Sequence, residues 1–322
     1  MTFWAVALYV LFCGYFLLAG YDYGVAMLSA FAGPLRAEAL DSLRPVLLRN
    51  EVWLVAGAGI LIGAFAHAEE HVVAGLYPLV STALVGVAMV TASVPLFWMS
   101  RGRLRRWMAV LAAGGAGTAA SGWGAVLGNL LVGLPWRIGA PPVRHALFEE
   151  TMTYLGGSTM VALMLTHGAA YLAACGSAEL RRWAEKVGRV AASAATALLL
   201  GCAGHLSLVH GGGHPFTLAV LWFGLAGLLL YRNMPSANRS RLMFGATTVA
   251  MAVPMSAVAV VHLPIVVASS RDRTSDLTLA AAASNPATLH TLSAIAVVAV
   301  PVMAATQLLS WWLLRTSGGV RQ

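Results

Sequence analysis

The sequence GYDYGV, residues Gly20 to Val25, places one carboxylate, Asp22, inside an apolar run that extends from Phe3 to Phe31. A carboxylate at the centre of a membrane-spanning helix costs about 3 kcal/mol on insertion scales, so such a group usually faces a protein interior or a water-filled path. Asp22 is therefore the first candidate for a functional residue. The alternative is a packing role, in which Asp22 accepts a hydrogen bond from a neighbouring helix.

The composition is that of a membrane protein with several spanning helices. Of the 322 residues, 59% are hydrophobic and 10% are charged, whereas soluble domains carry about 25% charged residues. The net charge of +8 does not indicate a nucleic-acid partner, because Lys and Arg lie in short clusters between long apolar runs. The first apolar run is long and lacks a basic leader, so no cleavable signal peptide is predicted.

Nine apolar segments approach or exceed the length of about 20 residues that a spanning helix needs. We number them spans 1 to 9, and they cover residues 3–31, 45–66, 72–99, 107–134, 147–175, 187–210, 215–231, 241–269 and 288–314. The pattern predicts an all-α, polytopic integral membrane protein with about nine transmembrane helices. Residues 1–322 are expected to form a single transmembrane domain.

The distribution of basic residues predicts the orientation in the membrane. Sixteen basic residues lie on one side of the nine spans and four on the other. Since cytoplasmic loops are enriched in Lys and Arg, we expect the N-terminus outside and the C-terminus in the cytoplasm. Asp22 then lies in the cytoplasmic half of span 1. The sixteen are Arg36, Arg44, Arg49, Arg101, Arg103, Arg105, Arg106, Arg181, Arg182, Lys186, Arg189, Arg232, Arg239, Arg241, Arg315 and Arg321, and the four are Arg137, Arg144, Arg271 and Arg273.

Span 2 begins with the sequence RNEVWL, which brings Asn50 and Glu51 to the same end of the bundle as Asp22. The loop between the two spans is short enough for the carboxyl groups of Asp22 and Glu51 to approach each other. We expect Asp22, Asn50 and Glu51 to form a proton entry at the cytoplasmic side. The alternative for Glu51 is a first-turn residue that the helix dipole favours.

The sequence HAEEH, His67 to His71, lies between spans 2 and 3 and fits HxxEH, the pattern of inverted zinc peptidases. In that pattern two imidazoles bind Zn²⁺ and the Glu activates water. No downstream Glu motif supplies a third ligand, so the alternative is a solvated polar turn. We favour the polar turn and predict no metal site.

The other histidines raise the question of haem ligation. Only His167 lies well inside a span, and we expect the rest to form hydrogen bonds near helix ends. These are His145, His205, His210, His214, His262 and His290. The cysteines, Cys13, Cys175 and Cys202, form no CxxC or CxxCH pattern, so we expect small core residues and no disulfide, thiolate metal site or covalent haem.

Five motifs in order resemble those of subunit II of cytochrome bd-type quinol oxidases. They are GYDYGVAML (20–28), NEVWL (50–54), GNLLVGLP (128–135), THGAAYL (166–172) and LTLAAAASNPATLHTLS (277–293). The resemblance extends over nearly the whole chain, and the helix number and orientation also agree with it.

The resemblance implies a heterodimer in which a haem-bearing subunit I holds haem b, haem d and the quinol site. The complex would reduce O₂ to water in the bacterial cell membrane, in contact with lipid and quinone. The resemblance leaves open whether a small third subunit is present. The family's GFDxGV acid corresponds to Asp22. Its WDGNxVW motif corresponds to residues 47–53, which puts Leu48 at the second acid position, and no carboxylate lies between His71 and Phe148 to supply the third. Two alternatives follow from the missing acids, namely that Glu51 substitutes for them or that the subunit is mainly structural. Because the haems and the quinol site lie in subunit I, the resemblance implies a subunit that is not catalytic alone.

Two other functions remain open from the residues. A proton-coupled membrane transporter would use Asp22 and Glu51 as its coupling groups. A membrane zinc hydrolase would be built on the HAEEH sequence.

Overall fold

The computed structural model describes residues 2–137, 144, 146–209, 215–233, 240–261 and 265–317. The helices are α1 (Thr2–Ser29), α2 (Arg36–Asp41), α3 (Leu47–Ala64), α4 (Ala66–Glu69), α5 (Tyr77–Met99), α6 (Gly102–Val132), α7 (Ala146–Glu149), α8 (Thr151–Cys175), α9 (Ala178–Val209), α10 (Pro215–Asn233), α11 (Ser240–Val261), α12 (Leu279–Ala282) and α13 (Pro286–Ser317). Two short strands, β1 (Ile265–Val267) and β2 (Leu277–Thr278), pair antiparallel. Gly33–Leu35 and Arg273–Ser275 are 3₁₀ turns, and Glu70–Ala74 is π-helical.

Seven of these helices are long and apolar enough to cross a membrane, namely α1, α3, α5, α6, α8, α9 and α11. Within the described chain, α10 and α13 contribute shorter apolar stretches, Ala219–Asn233 and Pro286–Val298. The predicted all-α, polytopic fold is confirmed. The count of nine spans and the orientation stay predictions.

The largest differences between the predicted spans and the helices occur at spans 6 and 8. Span 6 was expected to start at residue 187, but α9 starts at Ala178. Its first turns are amphipathic, since Leu180 and Ala184 are buried and Arg181 and Arg182 are exposed, so a search for uniformly apolar residues misses them. Span 8 was expected to reach residue 269, but α11 ends at residue 261. The β-branched run Ile265–Val267 forms strand β1 instead.

Helix α1 contacts α3, α6, α8 and α11. Residues 19–29 of α1 are all buried. Helices α1 and α8 cross at Gly24 and Gly168, where a Cβ on Gly24 would overlap the backbone of Met164. A Cβ on Gly168 would lie 2.5 Å from the carbonyl carbon of Gly24. The two backbones therefore meet directly, as small residues permit in membrane bundles, and this contact buries the half of α1 that carries Asp22.

The connection from α1 to α3 is fixed by side chains that bond to backbone carbonyl groups. Arg36 donates from Nε to the carbonyl oxygen of Ser29 at 2.9 Å and from Nη2 to that of Ala30 at 3.1 Å. These bonds cap carbonyl groups at and just after the end of α1, where, within the described chain, the oxygen of Ser29 otherwise accepts only a long bond, 3.4 Å, from Ala32 N. Tyr171 of α8 donates to the carbonyl oxygen of Ser42 at 3.0 Å. The start of α3 is thereby held beside the end of α1.

The cysteines divide between core and surface. Cys13 and Cys202 are buried, as expected. Cys175 is exposed at the last position of α8, so the expectation of a core residue is wrong there. It lies where the apolar run ends and the chain turns toward α9.

Candidate functional site

Asp22 is fully buried and meets the start of α3 through Asn50. Asn50 is also fully buried, and its Nδ2 donates to Asp22 Oδ2 at 2.8 Å. The same Nδ2 lies 2.9 Å from Tyr21 OH and 3.1 Å from the carbonyl oxygen of Leu18. Asp22 Oδ1 is buried and has no hydrogen-bond partner among the described residues. The structure thus brings two of the three predicted site residues into direct contact.

Three acceptors surround the Asn50 amide nitrogen, which has only two hydrogens to donate. Asp22 Oδ2, Tyr21 OH and the Leu18 carbonyl oxygen therefore compete for two bonds. Asn50 keeps two acceptors whichever one is lost. The amide nitrogen is a bridge between α3 and α1 that tolerates a change in the state of the Asp22 carboxyl.

Glu51 has a different partner. Its Oε1 accepts a hydrogen bond from Tyr23 OH at 2.8 Å, and its Oε2 is buried without a partner in the described part of the chain. Tyr23 OH lies 2.8 Å from Tyr15 OH, which accepts from Trp123 Nε1 at 3.2 Å. Glu51 therefore ends a line of polar groups that starts on α6. The alternative interpretation of Glu51 as a first-turn residue is wrong, because α3 begins at Leu47 and its first turn contains no acidic residue.

Asp22 and Tyr23 of α1 contact different residues of α3, because adjacent residues on a helix point about 100° apart. Asp22 faces Asn50, and Tyr23 faces Glu51. The sequence predicts Asp22, Asn50 and Glu51 as site residues but not Tyr23. The available signal is a hydroxyl next to Asp22 in an otherwise apolar helix, and since Tyr21 shares it, this signal alone does not select Tyr23.

His167 joins three helices and uses both ring nitrogens to do so. Its Nδ1 lies 2.8 Å from Thr247 Oγ1 of α11, and its Nε2 lies 3.1 Å from the carbonyl oxygen of Leu17 on α1. The ring stacks on Phe244, with centroids 4.8 Å apart, and meets the edge of Tyr21 at 5.9 Å. A haem ligand needs one nitrogen free for iron, so these contacts do not suit axial ligation.

The HAEEH sequence is helical, where a polar turn was expected. His67 lies in α4 and His71 in the π-helical segment that follows. His71 Nδ1 lies 2.7 Å from the carbonyl oxygen of His67, and its ring lies 4.0 Å from that of Trp136. No group of three or more His, Cys, Asp or Glu side chains that could hold a metal ion occurs in the described residues.

The remaining histidines lie away from this centre or outside the described residues. His205 Nε2 lies 3.4 Å from Glu150 Oε1, which is an ion pair when the imidazole is protonated. His290 is exposed on α13. The predictions for the other four concern residues outside the described ranges, namely His145, His210, His214 and His262.

Known proteins match this chain over nearly its full length. The family model of cytochrome bd terminal oxidase subunit II matches residues 1–314. The chain is 26% identical to cytochrome bd ubiquinol oxidase subunit 2 of Bacillus subtilis (strain 168), over 97% of this chain and 95% of that protein. It is 23% identical to cytochrome bd-I ubiquinol oxidase subunit 2 of Escherichia coli (strain K12), over 96% and 92%.

A solved structure of bd oxidase from Geobacillus thermodenitrificans has the same fold, with a TM-score of 0.75 at 17% identity over 98% of this chain and 99% of the matched chain. The family match covers more than nine tenths of the sequence and includes the buried contact between α1 and α3. The chain therefore belongs to the cytochrome bd terminal oxidase subunit II family.

Proposed function

We propose that this chain is the second subunit of a quinol oxidase that reduces O₂ to water in the bacterial cell membrane. The family match over residues 1–314 is the observation that carries the proposal. The relatives in Bacillus subtilis and Escherichia coli are named subunit 2 of a ubiquinol oxidase, which supports a subunit I partner and quinol as the substrate of the complex. The chain is not catalytic alone in this proposal.

The haems of such a complex, b and d, belong to the partner subunit in this proposal. His167 is the one histidine that the sequence places well inside a span, and both of its ring nitrogens already have partners within the chain. The residues present thus do not fit an axial ligand at that position. The chain's own role is to stabilise the haem-bearing subunit and to conduct protons.

The proposed proton path uses Asp22, Asn50 and Glu51. Reduction of O₂ to water consumes protons, and a reaction that builds a membrane potential must draw them from the cytoplasmic side. Low-dielectric surroundings require polar groups along the way. Asp22 and Glu51 each keep one buried carboxyl oxygen without a partner in the described residues. Those two oxygens are the atoms at which this chain would accept and release protons, with Asn50 holding the Asp22 carboxyl in place.

Purification of the affinity-tagged chain in mild detergent tests the assignment of the complex. We expect it to bring down a second integral membrane subunit with haem absorbance, and the preparation to consume O₂ when quinol is supplied. A colourless chain that purifies alone would contradict the proposal and favour a transporter. Stoichiometric zinc with hydrolytic activity would contradict it in favour of a hydrolase.

A further inference from the structure

Four side chains form one line of hydrogen bonds across α6, α1 and α3. Trp123 Nε1 donates to Tyr15 OH at 3.2 Å, and Tyr15 OH lies 2.8 Å from Tyr23 OH. Tyr23 OH then donates to Glu51 Oε1 at 2.8 Å. Tyr15 and Tyr23 are fully buried. The line therefore lies inside the protein and ends on one oxygen of the Glu51 carboxyl.

The indole of Trp123 sets the direction of this line. An indole N–H can only donate, and a phenol has one proton to donate. Because Tyr23 gives its proton to Glu51, the bond between the two phenols must use the proton of Tyr15. Tyr15 in turn accepts from Trp123. Every donor in the line thus points toward Glu51 Oε1.

The aromatic rings are also held in place by their neighbours. Tyr15 meets Tyr23 edge to face with centroids 6.4 Å apart, and it meets Trp123 in the same way at 6.0 Å. Phe16 packs on the indole at 6.1 Å. Such edge-to-face contacts favour one ring orientation over others. The hydroxyl groups of Tyr15 and Tyr23 are therefore held in fixed positions.

We propose that Trp123, Tyr15 and Tyr23 hold the Glu51 carboxyl in one orientation, in which Oε1 is anchored and Oε2 takes up and releases the proton. The inference rests on the proposed proton path and goes beyond it, since it assigns the proton to one atom. It also makes the tyrosines positioning residues that do not themselves carry the proton.

Reversal of the line explains why the tyrosines do not relay protons. If Glu51 carried its proton on Oε1 and donated to Tyr23, then Tyr23 would have to donate to Tyr15. Tyr15 would accept from both Tyr23 and Trp123, and its own proton would be left buried without an acceptor among the described residues. An unpaired buried donor disfavours that arrangement by about tenfold or more. The proton therefore enters and leaves at Oε2.

Infrared spectroscopy of the purified complex tests the orientation. Subtraction of the Glu51→Gln spectrum from the wild-type spectrum, with and without ¹³C-labelled glutamate, isolates the C=O stretch of protonated Glu51. We expect Tyr23→Phe to move this band to higher wavenumber, because the carbonyl oxygen Oε1 loses its hydrogen bond. Tyr9→Phe is the matched control, since Tyr9 lies on the same helix and bonds to Ser256 Oγ at 2.8 Å. It should leave the band where it is.

A second variant keeps the test decisive if Tyr23→Phe does not assemble. Trp123→His replaces an N–H that can only donate by a ring whose second nitrogen can accept the Tyr15 proton, and it leaves the contact between Tyr23 and Glu51 in place. The Glu51 band should then broaden or split, because the reversed line becomes accessible. A band that both variants leave unchanged, or the absence of any protonated Glu51 band across the tested pH range, overturns the proposal.

Measurements of turnover distinguish a failure of this inference from a failure of the proton path on which it rests. We expect Tyr23→Phe to lower quinol-driven O₂ consumption about fivefold, the value of an ordinary hydrogen bond. It should have no further effect in the Glu51→Gln background, since the two changes act on one interaction. Additive losses would indicate a purely structural tyrosine and overturn the proposal. A shifted band with full turnover of Glu51→Gln would support the orientation and contradict the proton path.

Discussion

Replacement of Asp22 by Asn and by Ala distinguishes a proton carrier from a packing residue. Asp22→Asn nearly preserves the shape of the side chain, and its amide oxygen can still accept from Asn50 Nδ2 in place of Oδ2. The amide cannot ionise or carry a proton. Asp22→Ala removes the acceptor and opens a gap of three heavy atoms. The two variants therefore share the loss of the proton site and differ in packing.

The structure indicates that both variants assemble. In Asp22→Ala the two hydrogens of Asn50 Nδ2 can still bond to Tyr21 OH and the carbonyl oxygen of Leu18, so no buried donor is stranded. The remaining cost is the cavity, about 1 to 3 kcal/mol. In Asp22→Asn the new NH₂ takes the place of Oδ1, an atom without a partner in the described chain, so we expect the cost of a buried amide donor without an acceptor, about 1 to 3 kcal/mol. Neither cost is large beside the packing of a whole bundle.

The assay measures the complex in proteoliposomes. We expect both variants to retain haem at wild-type stoichiometry per complex, as read from the absorption spectrum. Quinol-driven O₂ consumption should fall about tenfold or more in both, because a missing proton-transfer group costs at least that much in comparable enzymes. The membrane potential, followed with a voltage-sensitive dye, should fall in proportion to turnover.

Two results would contradict the role of Asp22 as a proton carrier. If Asp22→Asn assembles with full haem, oxidises quinol at the wild-type rate and builds the wild-type potential, then Asp22 does not carry the proton. If Asp22→Ala alone is impaired, and through loss of haem and partner subunit, then Asp22 is a packing residue.

Three further predictions concern packing and the histidines. Gly24→Ala should abolish recovery of the complex because its Cβ overlaps the α8 backbone, whereas Gly59→Ala, which meets nothing within 4 Å, should not; equal recovery in detergent would contradict the crossing. His167→Ala should lower the melting temperature because α1, α8 and α11 lose a shared bridge. Its haem-to-protein ratio should stay at the wild-type value, and a loss of one haem per assembled complex would refute the structural role. Replacement of His67 and His71 by Ala should leave assembly and turnover nearly intact, and loss of bound metal together with activity would show that a metal site was missed.

The sequence predicts the helices well because a membrane leaves few alternatives. Backbone groups in lipid must bond within their own segment, so a long apolar run is a helix almost by necessity. The same argument predicts Asp22, since a carboxylate in such a run needs a protein environment. It fails for the start of α9 and for β1. The start of α9 contains polar residues on its exposed face, and β1 is stabilised by pairing with β2. A count of consecutive apolar residues therefore predicts neither element.

The contacts of Asp22 are less predictable from the sequence than the helices are. The short connection predicts that α1 and α3 meet, but not how far each is rotated about its axis. A rotation of about 100° exchanges neighbouring residues on a helix. The structure puts Asn50 against Asp22 and leaves Glu51 to Tyr23. Trp123 lies 108 positions from Tyr15 in the sequence, so their contact depends on the register of two helices that no local pattern encodes.

The resemblance to the family's WDGNxVW motif implies that Leu48 takes the second acid position. The Leu48 side chain is 61% exposed, on the outer side of α3. Glu51 lies one turn later and about 60° around the helix, at the border between the exposed stripe and the buried one that includes Asn50 and Leu54. A carboxyl at position 48 would face outward from this chain, whereas Glu51 faces the interior and is anchored by Tyr23. If Glu51 takes over the role of the missing acid, the proton therefore moves along the inner edge of α3, beside Asp22.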